Sequence, residues 1–251
     1  MPEASSVLLL FLAGAATALV TGVGAVPVWL LGVRADALRP ALWGLAGGVM
    51  GVASIVGLLK PALDEGSGVA VAAGVVGGVV FLLVARQALE RSESDIAALR
   101  SADVRTAVLV FAVLFVHSLP EGLAIGTAYA SKTAGLGLFV ILAIGLQNIP
   151  EGTSVAIPME DAGFGRSRQF GAAVLTSAPQ PFGAVGAYLL VEQVDSLLPV
   201  SFAFAAGAML ALVVVEVMPT ALRSGRWLNT FAGFAAGALV MLLLSALLGV
   251  G

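Results

Sequence analysis

Eight apolar stretches, each about the length needed to cross a bilayer, divide this chain almost from end to end. A helix rises about 1.5 Å per residue, so about 20 apolar residues cover the hydrocarbon. The stretches are Ala4–Val33, Ala41–Leu59, Gly66–Ala85, Thr106–Ser131, Thr133–Met159, Phe170–Val191, Ser196–Leu222 and Trp227–Gly251. Lipid offers no water to backbone N–H and C=O groups, so each crossing is expected to be helical. Composition agrees: 59% of the 251 residues are hydrophobic and only 11% are charged. Soluble domains carry about 25% charged residues, which argues against a soluble Gly-rich globule. The 31 glycines suit close helix packing in lipid. The chain is expected to form one polytopic transmembrane domain over residues 1–251.

The same patterning gives a topology. The loops after the first, third, fifth and seventh stretches share one side, and with their flanks they hold Arg34, Arg39, Arg86, Arg91, Arg100, Arg105, Arg166, Arg168, Arg223 and Arg226. Only Lys60 and Lys132 fall on the other side, so ten of the 12 basic residues gather on one face. Basic loops stay in the cytoplasm, which puts both termini on the non-cytoplasmic side of a cell membrane. Trp29, Trp43 and Trp227 fall near the cytoplasmic ends of their helices, and Tyr129 and Tyr188 near the outer ends, as amphipathic rings prefer. Met1 to Ser6 lack a basic cluster, so the first stretch is expected to be a retained helix rather than a cleaved signal. Pro27 offers a kink in it, and Lys132 alone separates the fourth and fifth stretches, as in a tight hairpin. The connector from Glu90 to Arg105 reads as a solvated loop with a short helical turn around Ile96 to Leu99. A net charge of −3 names no partner, and none is expected among nucleic acids. The absence of cysteine removes disulfides and thiolate metal sites.

Ionisable groups inside membrane spans are costly and mark function. Four stand out: His117 and Glu121 in the fourth stretch, Glu151 in the fifth and Glu216 in the seventh. His117, the only histidine, precedes Glu121 by four residues, so both lie on one helix face. The fifth stretch repeats the spacing with Gln147 and Glu151. His117-Ser118-Leu119-Pro120-Glu121-Gly122 parallels Gln147-Asn148-Ile149-Pro150-Glu151-Gly152. Each proline removes a backbone hydrogen bond, so a kink with a freed carbonyl is expected before each glutamate. Met50, His117, Gln147 and Gln180 fall near the centres of their stretches, at the midplane where transporter sites lie. Two carboxylates, an imidazole, an amide oxygen and a thioether suit a borderline divalent cation such as zinc. Each residue has a plainer reading. Met50 fills gaps in a core, Gln147 and Asn148 tie helices together, and His117 is a bundle histidine with a local partner. Packing gives no reason for two intramembrane glutamates in matched motifs.

On these two motifs the sequence resembles the ZIP (Zrt/Irt-like) transporters. That family carries a His-Asn/Ser-x-Pro-Glu-Gly stretch in its fourth helix and a related x-x-x-Pro-Glu-Gly stretch in its fifth. The resemblance extends to Gly47-Gly48-Val49-Met50, to Thr176–Gly183, and to Phe204–Met209 followed by Glu216-Val217-Met218-Pro219. It implies an all-α membrane fold of eight helices in a 3+2+3 arrangement, with the motif helices between inverted three-helix repeats. It implies a carrier moving zinc, cadmium, iron or manganese toward the cytoplasm, with zinc the first expectation and no other cofactor. It implies a homodimeric partner, since many members form dimers. The family's transport-site ligands fall on Met50, His117, Glu121, Gln147 and Glu151. Some relatives hold a second metal through an Asn, an Asp and a sixth-helix Glu. Here those positions are Ser118, Asn148 and Gln180, so one strong site is expected.

Glu216 lies seven residues past Met209, the centre of its stretch, or about 10 Å toward the cytoplasm. It receives the metal on its way in, or it is an interfacial charge beside Arg223 or Arg226. Alternatives to a zinc carrier are a carrier selective for iron or manganese and a non-transporting metal sensor. A membrane metallohydrolase would need a ligand set such as His-Glu-x-x-His, which a lone histidine cannot supply; no enzyme activity is expected.

Overall fold

The computed structural model describes residues 4–96, 102–131, 133–223 and 225–250. Met1 to Glu3, Lys132 and the centre of the Glu90–Arg105 connector lie outside the described residues. The described chain is helical, and eight helices are long and apolar enough to cross a membrane. They are α1 (Ala4–Leu31), α2 (Arg34–Glu65), α3 (Gly68–Ile96), α4 (Ala102–Ala130), α5 (Leu136–Asp161), α6 (Arg166–Gln193), α7 (Asp195–Leu222) and α8 (Trp227–Leu248). All eight expected crossings are therefore present.

Several boundaries and breaks differ from the sequence reading. α2 continues past Leu59 to Glu65, where Pro61 opens a last helical segment and Lys60 reaches Asp64 one turn on at 3.8 Å. Proline is tolerated in a first turn because its missing N–H has no intrahelical partner there. The connector is not mainly loop: α3 runs on to Ile96 and α4 starts at Ala102. No Gly or Pro occurs from Val79 to Leu119, and Ala, Leu, Glu, Gln and Arg favour helix. The break in α1 falls at Gly24–Ala25, with Pro27 in the first turn of the next segment. α6 is broken likewise at Ser177–Ala178, ahead of Pro179. α4 and α5, where the sequence suggested interruption, stay helical through Pro120 and Pro150. Wider π turns interrupt α2 at Ala53–Leu59 and α7 at Val213–Val217.

The helices pack as α2 on α8, α3 on α7, α4 on α6 and α5 on α1, with further contacts of α4 on α5, α2 on α5, α4 on α7 and α1 on α6. This set maps onto itself when α1, α2 and α3 are exchanged with α6, α7 and α8, and α4 with α5. The breaks in α1 and α6 and the π turns in α2 and α7 obey the same exchange. Glycines set the close approaches. Gly48 and Gly237 bring α2 and α8 together backbone to backbone, and Gly78 and Gly207 do so for α3 and α7.

The glycine of each Pro-Glu-Gly motif has the same role at the broken helices. A Cβ on Gly122 would overlap the Gln180 carbonyl oxygen of α6, and one on Gly152 would overlap the Thr21 carbonyl oxygen of α1. α5 sits deepest: from Asn148 to Met159 every residue but Ile149 is buried, as in a helix enclosed on all sides.

Gly152→Ala should therefore destabilise the protein by about 2 kcal/mol or more, the usual consequence of forcing atoms into a packed interior. Gly145→Ala, on the same helix with open space at the Cβ position, should be neutral or stabilising because alanine favours helix. Thermal melts of the detergent-solubilised variants check both; equal melting of the two variants would contradict the packing.

Candidate metal centre

α4 and α5 each present two polar side chains one turn apart, and the two faces meet in the interior. Glu121 is fully buried, and both its oxygens accept amide protons. Gln147 Nε2 donates to Oε1 at 2.5 Å and Gln180 Nε2 donates to Oε2 at 2.7 Å. Hydrogen bonds to a charged acceptor are the strong class, and they partly offset its burial. The Glu121 and Glu151 side chains interact directly across the α4–α5 contact. Glu151 Oε1 and Gln147 Oε1, both buried, have no hydrogen-bond partner. A buried acceptor left without a donor costs about 1–3 kcal/mol. Two such oxygens beside two carboxylates form a place where a cation is the fitting partner.

Behind Glu121 lies a polar network that ties α1, α5 and α6. Asn148 Nδ2 donates to the Thr17 carbonyl at 2.8 Å and to Gln180 Oε1 at 3.2 Å. Gln180 Nε2 also reaches Asn148 Oδ1 at 3.3 Å, and Thr17 Oγ1 donates to Gln180 Oε1 at 2.8 Å. Nearby, the Thr21 and Ser177 hydroxyls share a bond of 2.7 Å between the two broken helices.

The structure thus divides the residues singled out from the sequence. Glu121, Gln147, Asn148, Glu151 and Gln180 come together. His117 faces α7 instead, with Nε2 3.5 Å from Glu216 Oε2. Met50 is buried on the part of α2 that packs against α5. Ser118 donates to its own helix, at the Leu114 carbonyl 3.1 Å away, and its side chain also lies against Glu121. Among the described residues no three His, Asp or Glu side chains are gathered closely enough to hold an ion. What comes together is a pair of carboxylates with amides, and His117 stands one step aside.

Glu216 lines a cavity of about 170 Å³ with Arg86, Val113, Val215, Thr220 and Arg223. It sits in the π turn of α7, and Arg86 Nη1 donates to the neighbouring Val215 carbonyl at 3.4 Å. Glu216 faces the lone histidine, and Arg223 shares its cavity. Sequence reasoning missed Thr17, Thr21 and Ser177. Small hydroxyl residues in apolar helices ordinarily bond their own backbone, so no local signal marked them.

Comparison with known proteins identifies the family. The family model described as ZIP zinc transporter matches residues 83–245, more than half of the chain. The chain belongs to the ZIP family. It is 33% identical over 244 residues to the zinc transporter GufA of Myxococcus xanthus, covering 91% of this chain and 94% of that protein. It is 33% identical over 258 residues to the zinc transporter ZIPB of Bordetella bronchiseptica, covering 95% and 81%. It also shares 37% identity over 211 residues with a longer protein of Arabidopsis thaliana, which covers 83% of this chain but only 34% of that protein. In this ZIP-family chain the motif glutamates are the residues that meet between α4 and α5.

Gln180→Met should destabilise the metal-free protein by about 1–3 kcal/mol, because it strips a donor from Glu121 and leaves the Asn148 amide with unmet groups. Ser154→Ala should have little effect, since that hydroxyl is satisfied within its own helix by the Pro150 carbonyl. Apo-protein thermal melts separate the two, and an unperturbed Gln180→Met would show the network to be unimportant.

Proposed function

We propose that this ZIP-family chain carries a divalent cation of the zinc class across the membrane, toward the cytoplasm, through a midplane site between α4 and α5. The observation that carries this reading is the pair of buried, donorless oxygens, Glu151 Oε1 and Gln147 Oε1, beside the Glu121–Glu151 contact. Two carboxylates neutralise a dication and so remove much of the cost of taking it out of water. The names of the relatives from Myxococcus xanthus and Bordetella bronchiseptica support zinc as the cargo. The exchange relation among the helix contacts supports a 3+2+3 organisation, in which inverted three-helix repeats flank α4 and α5.

The path inward runs from Glu121 and Glu151 to His117, then to Glu216 and the cavity beside it. Met50 joins the central ligands when the ion arrives. The concentration of arginines on one side supports termini outside the cytoplasm. Glu216 is a relay: its carboxylate draws the ion from the histidine toward a cavity where two arginines disfavour its staying. Attraction followed by repulsion lets a bound ion leave.

Reconstituted proteoliposomes loaded with a metal-sensitive dye test the reading, with Zn²⁺, Cd²⁺, Mn²⁺ and Fe²⁺ offered separately. Zn²⁺ or Cd²⁺ influx well above that of empty vesicles is expected. Glu121→Ala and Glu151→Ala should each fall to the empty-vesicle level while the protein remains folded. Binding without flux would point to a sensor, and near-normal flux in either variant would remove the site. Glu216→Gln keeps the shape and removes the charge. It should slow turnover more than it changes half-saturation; wild-type flux at all metal concentrations would end its role as a relay.

A further inference from the structure

Arg86 stands where two features of the surface meet. On one side is the cavity of about 170 Å³ beside Glu216, lined also by Thr220 and Arg223, with Leu109 and Val113 as apolar walls. On the other is an open groove formed by Leu83, Val84 and Gln87, which Arg86 also lines. The groove lies on the outside of an apolar span, with Leu83 44% and Val84 59% exposed. Both arginines lie at headgroup depth. Arg86 sits one turn before Leu89, where the α3 span ends, and Arg223 directly follows Leu222, where the α7 span ends. Both ends belong to the arginine-rich side of the bundle. A basic recess at that level, opening beside an apolar groove, offers charge where lipid phosphates are and hydrocarbon contact where their chains are.

We propose that this cavity is a phosphate-binding site whose occupant is the headgroup of an anionic phospholipid, with an acyl chain lying along Leu83 and Val84. Charge favours an oxyanion there. The cavity lining carries two guanidiniums against one carboxylate, and that carboxylate also faces His117, 3.5 Å away. A guanidinium presents five N–H donors in a planar fork that matches two oxygens of a phosphate. Arg86 Nη1 donates to the Val215 carbonyl of the α7 π turn at 3.4 Å, which sets its head at the cavity rather than out in the headgroup layer. Arg223 approaches from the end of α7, and the Thr220 hydroxyl supplies a further donor to the same space. A phosphate held by both arginines would join α3 to α7. Binding here requires no metal at the carboxylate pair, so the site stands or falls separately from the transport reading.

Native mass spectrometry and thermal melts of the metal-free, detergent-solubilised full chain test this. Phosphatidylglycerol should bind the chain and raise its melting temperature, as a ligand of the native state does. Phosphatidylcholine, whose choline cancels the phosphate charge, should bind more weakly and raise it less. Arg223→Gln should weaken phosphatidylglycerol binding about fivefold, the contribution of one arginine near a membrane surface. Arg86→Gln should weaken it at least as much, but it also removes the bond to Val215, so Arg223→Gln decides should the Arg86 variant misfold. Arg168→Gln, which alters an exposed arginine at the same end of the bundle but outside the cavity, should leave binding unchanged. Equal losses in Arg223→Gln and Arg168→Gln would reveal diffuse attraction to surface charge and overturn the site. Phosphatidylcholine binding as tight as phosphatidylglycerol binding would overturn it too. Excess inorganic phosphate should leave the melting temperature nearly unchanged. An Arg223-dependent rise with inorganic phosphate and none with phosphatidylglycerol would overturn the lipid as occupant.

Discussion

Burying the Glu121 carboxylate is the demand around which the interior of this protein is organised. A charged group at bilayer depth has no water to turn to, so its partners must come from the protein. Glu121 draws them from two other helices, Gln147 of α5 and Gln180 of α6. Those amides need partners at their other ends. Gln180 finds Thr17 and Asn148, and Asn148 finds the α1 backbone. One buried carboxylate thereby fixes the relative placement of α1, α4, α5 and α6. Gln147 Oε1 is the place where this chain of satisfaction stops, and it stops beside Glu151, whose Oε1 is also unmet. Within the network around Glu121, these two neighbouring oxygens are the ones left without a hydrogen-bond partner.

Backbone geometry makes that network reachable. Side-chain amides span only a few ångströms, so α4 must lie nearly on α6 and α5 nearly on α1. The motif glycines permit this, with Gly122 against the Gln180 backbone and Gly152 against the Thr21 backbone. The helices on the receiving side are broken at Gly24–Ala25 and Ser177–Ala178, close to those contacts. The proline and glycine that flank each glutamate therefore have separable roles. Glycine sets the approach of neighbouring helices. Proline deletes a hydrogen bond within a helix that otherwise continues. Local sequence signalled an interruption at Pro120 and Pro150, yet the full breaks fall in the partner helices.

How much of this was legible in the sequence depended on how far each signal reaches. Eight crossings were legible because twenty apolar residues in a row have one physical meaning. Glu121 and Glu151 were legible because a carboxylate in hydrocarbon is conspicuous, and the four-residue spacing placed Gln147 and His117 beside them on their helices. The partner each side chain chose was not legible. His117 shares a helix face with Glu121 but turns to Glu216 on α7, a choice made by tertiary packing. Thr17, Thr21 and Ser177 look like ordinary hydroxyl residues in apolar helices, and only the crossing of α1 and α6 gives them partners. The π turns left no mark in composition. The connector was read as loop from its charges, although its helix-favouring residues carried α3 and α4 into it.

The π turn of α7 links the buried centre to its surroundings. An extra residue in a turn rotates the rest of the helix beyond it, and in α7 the widened segment carries Glu216. Its side chain then faces His117 on one hand and the arginine-lined cavity on the other. A regular helix would shift Glu216 by about 100° around the axis for each residue removed, taking it away from one of those neighbours. The equivalent interruption in α2, under the exchange that relates the two halves, carries Ser54, whose buried hydroxyl oxygen has no partner. The two halves therefore share a backbone device but not its chemistry. A carboxylate occupies the turn in α7, and His117 lies against it. In α2 the turn bears only a hydroxyl. The side chains are therefore asymmetric where the backbone breaks correspond: His117 and Glu216 meet on one side of the paired glutamates, next to the arginine-lined cavity.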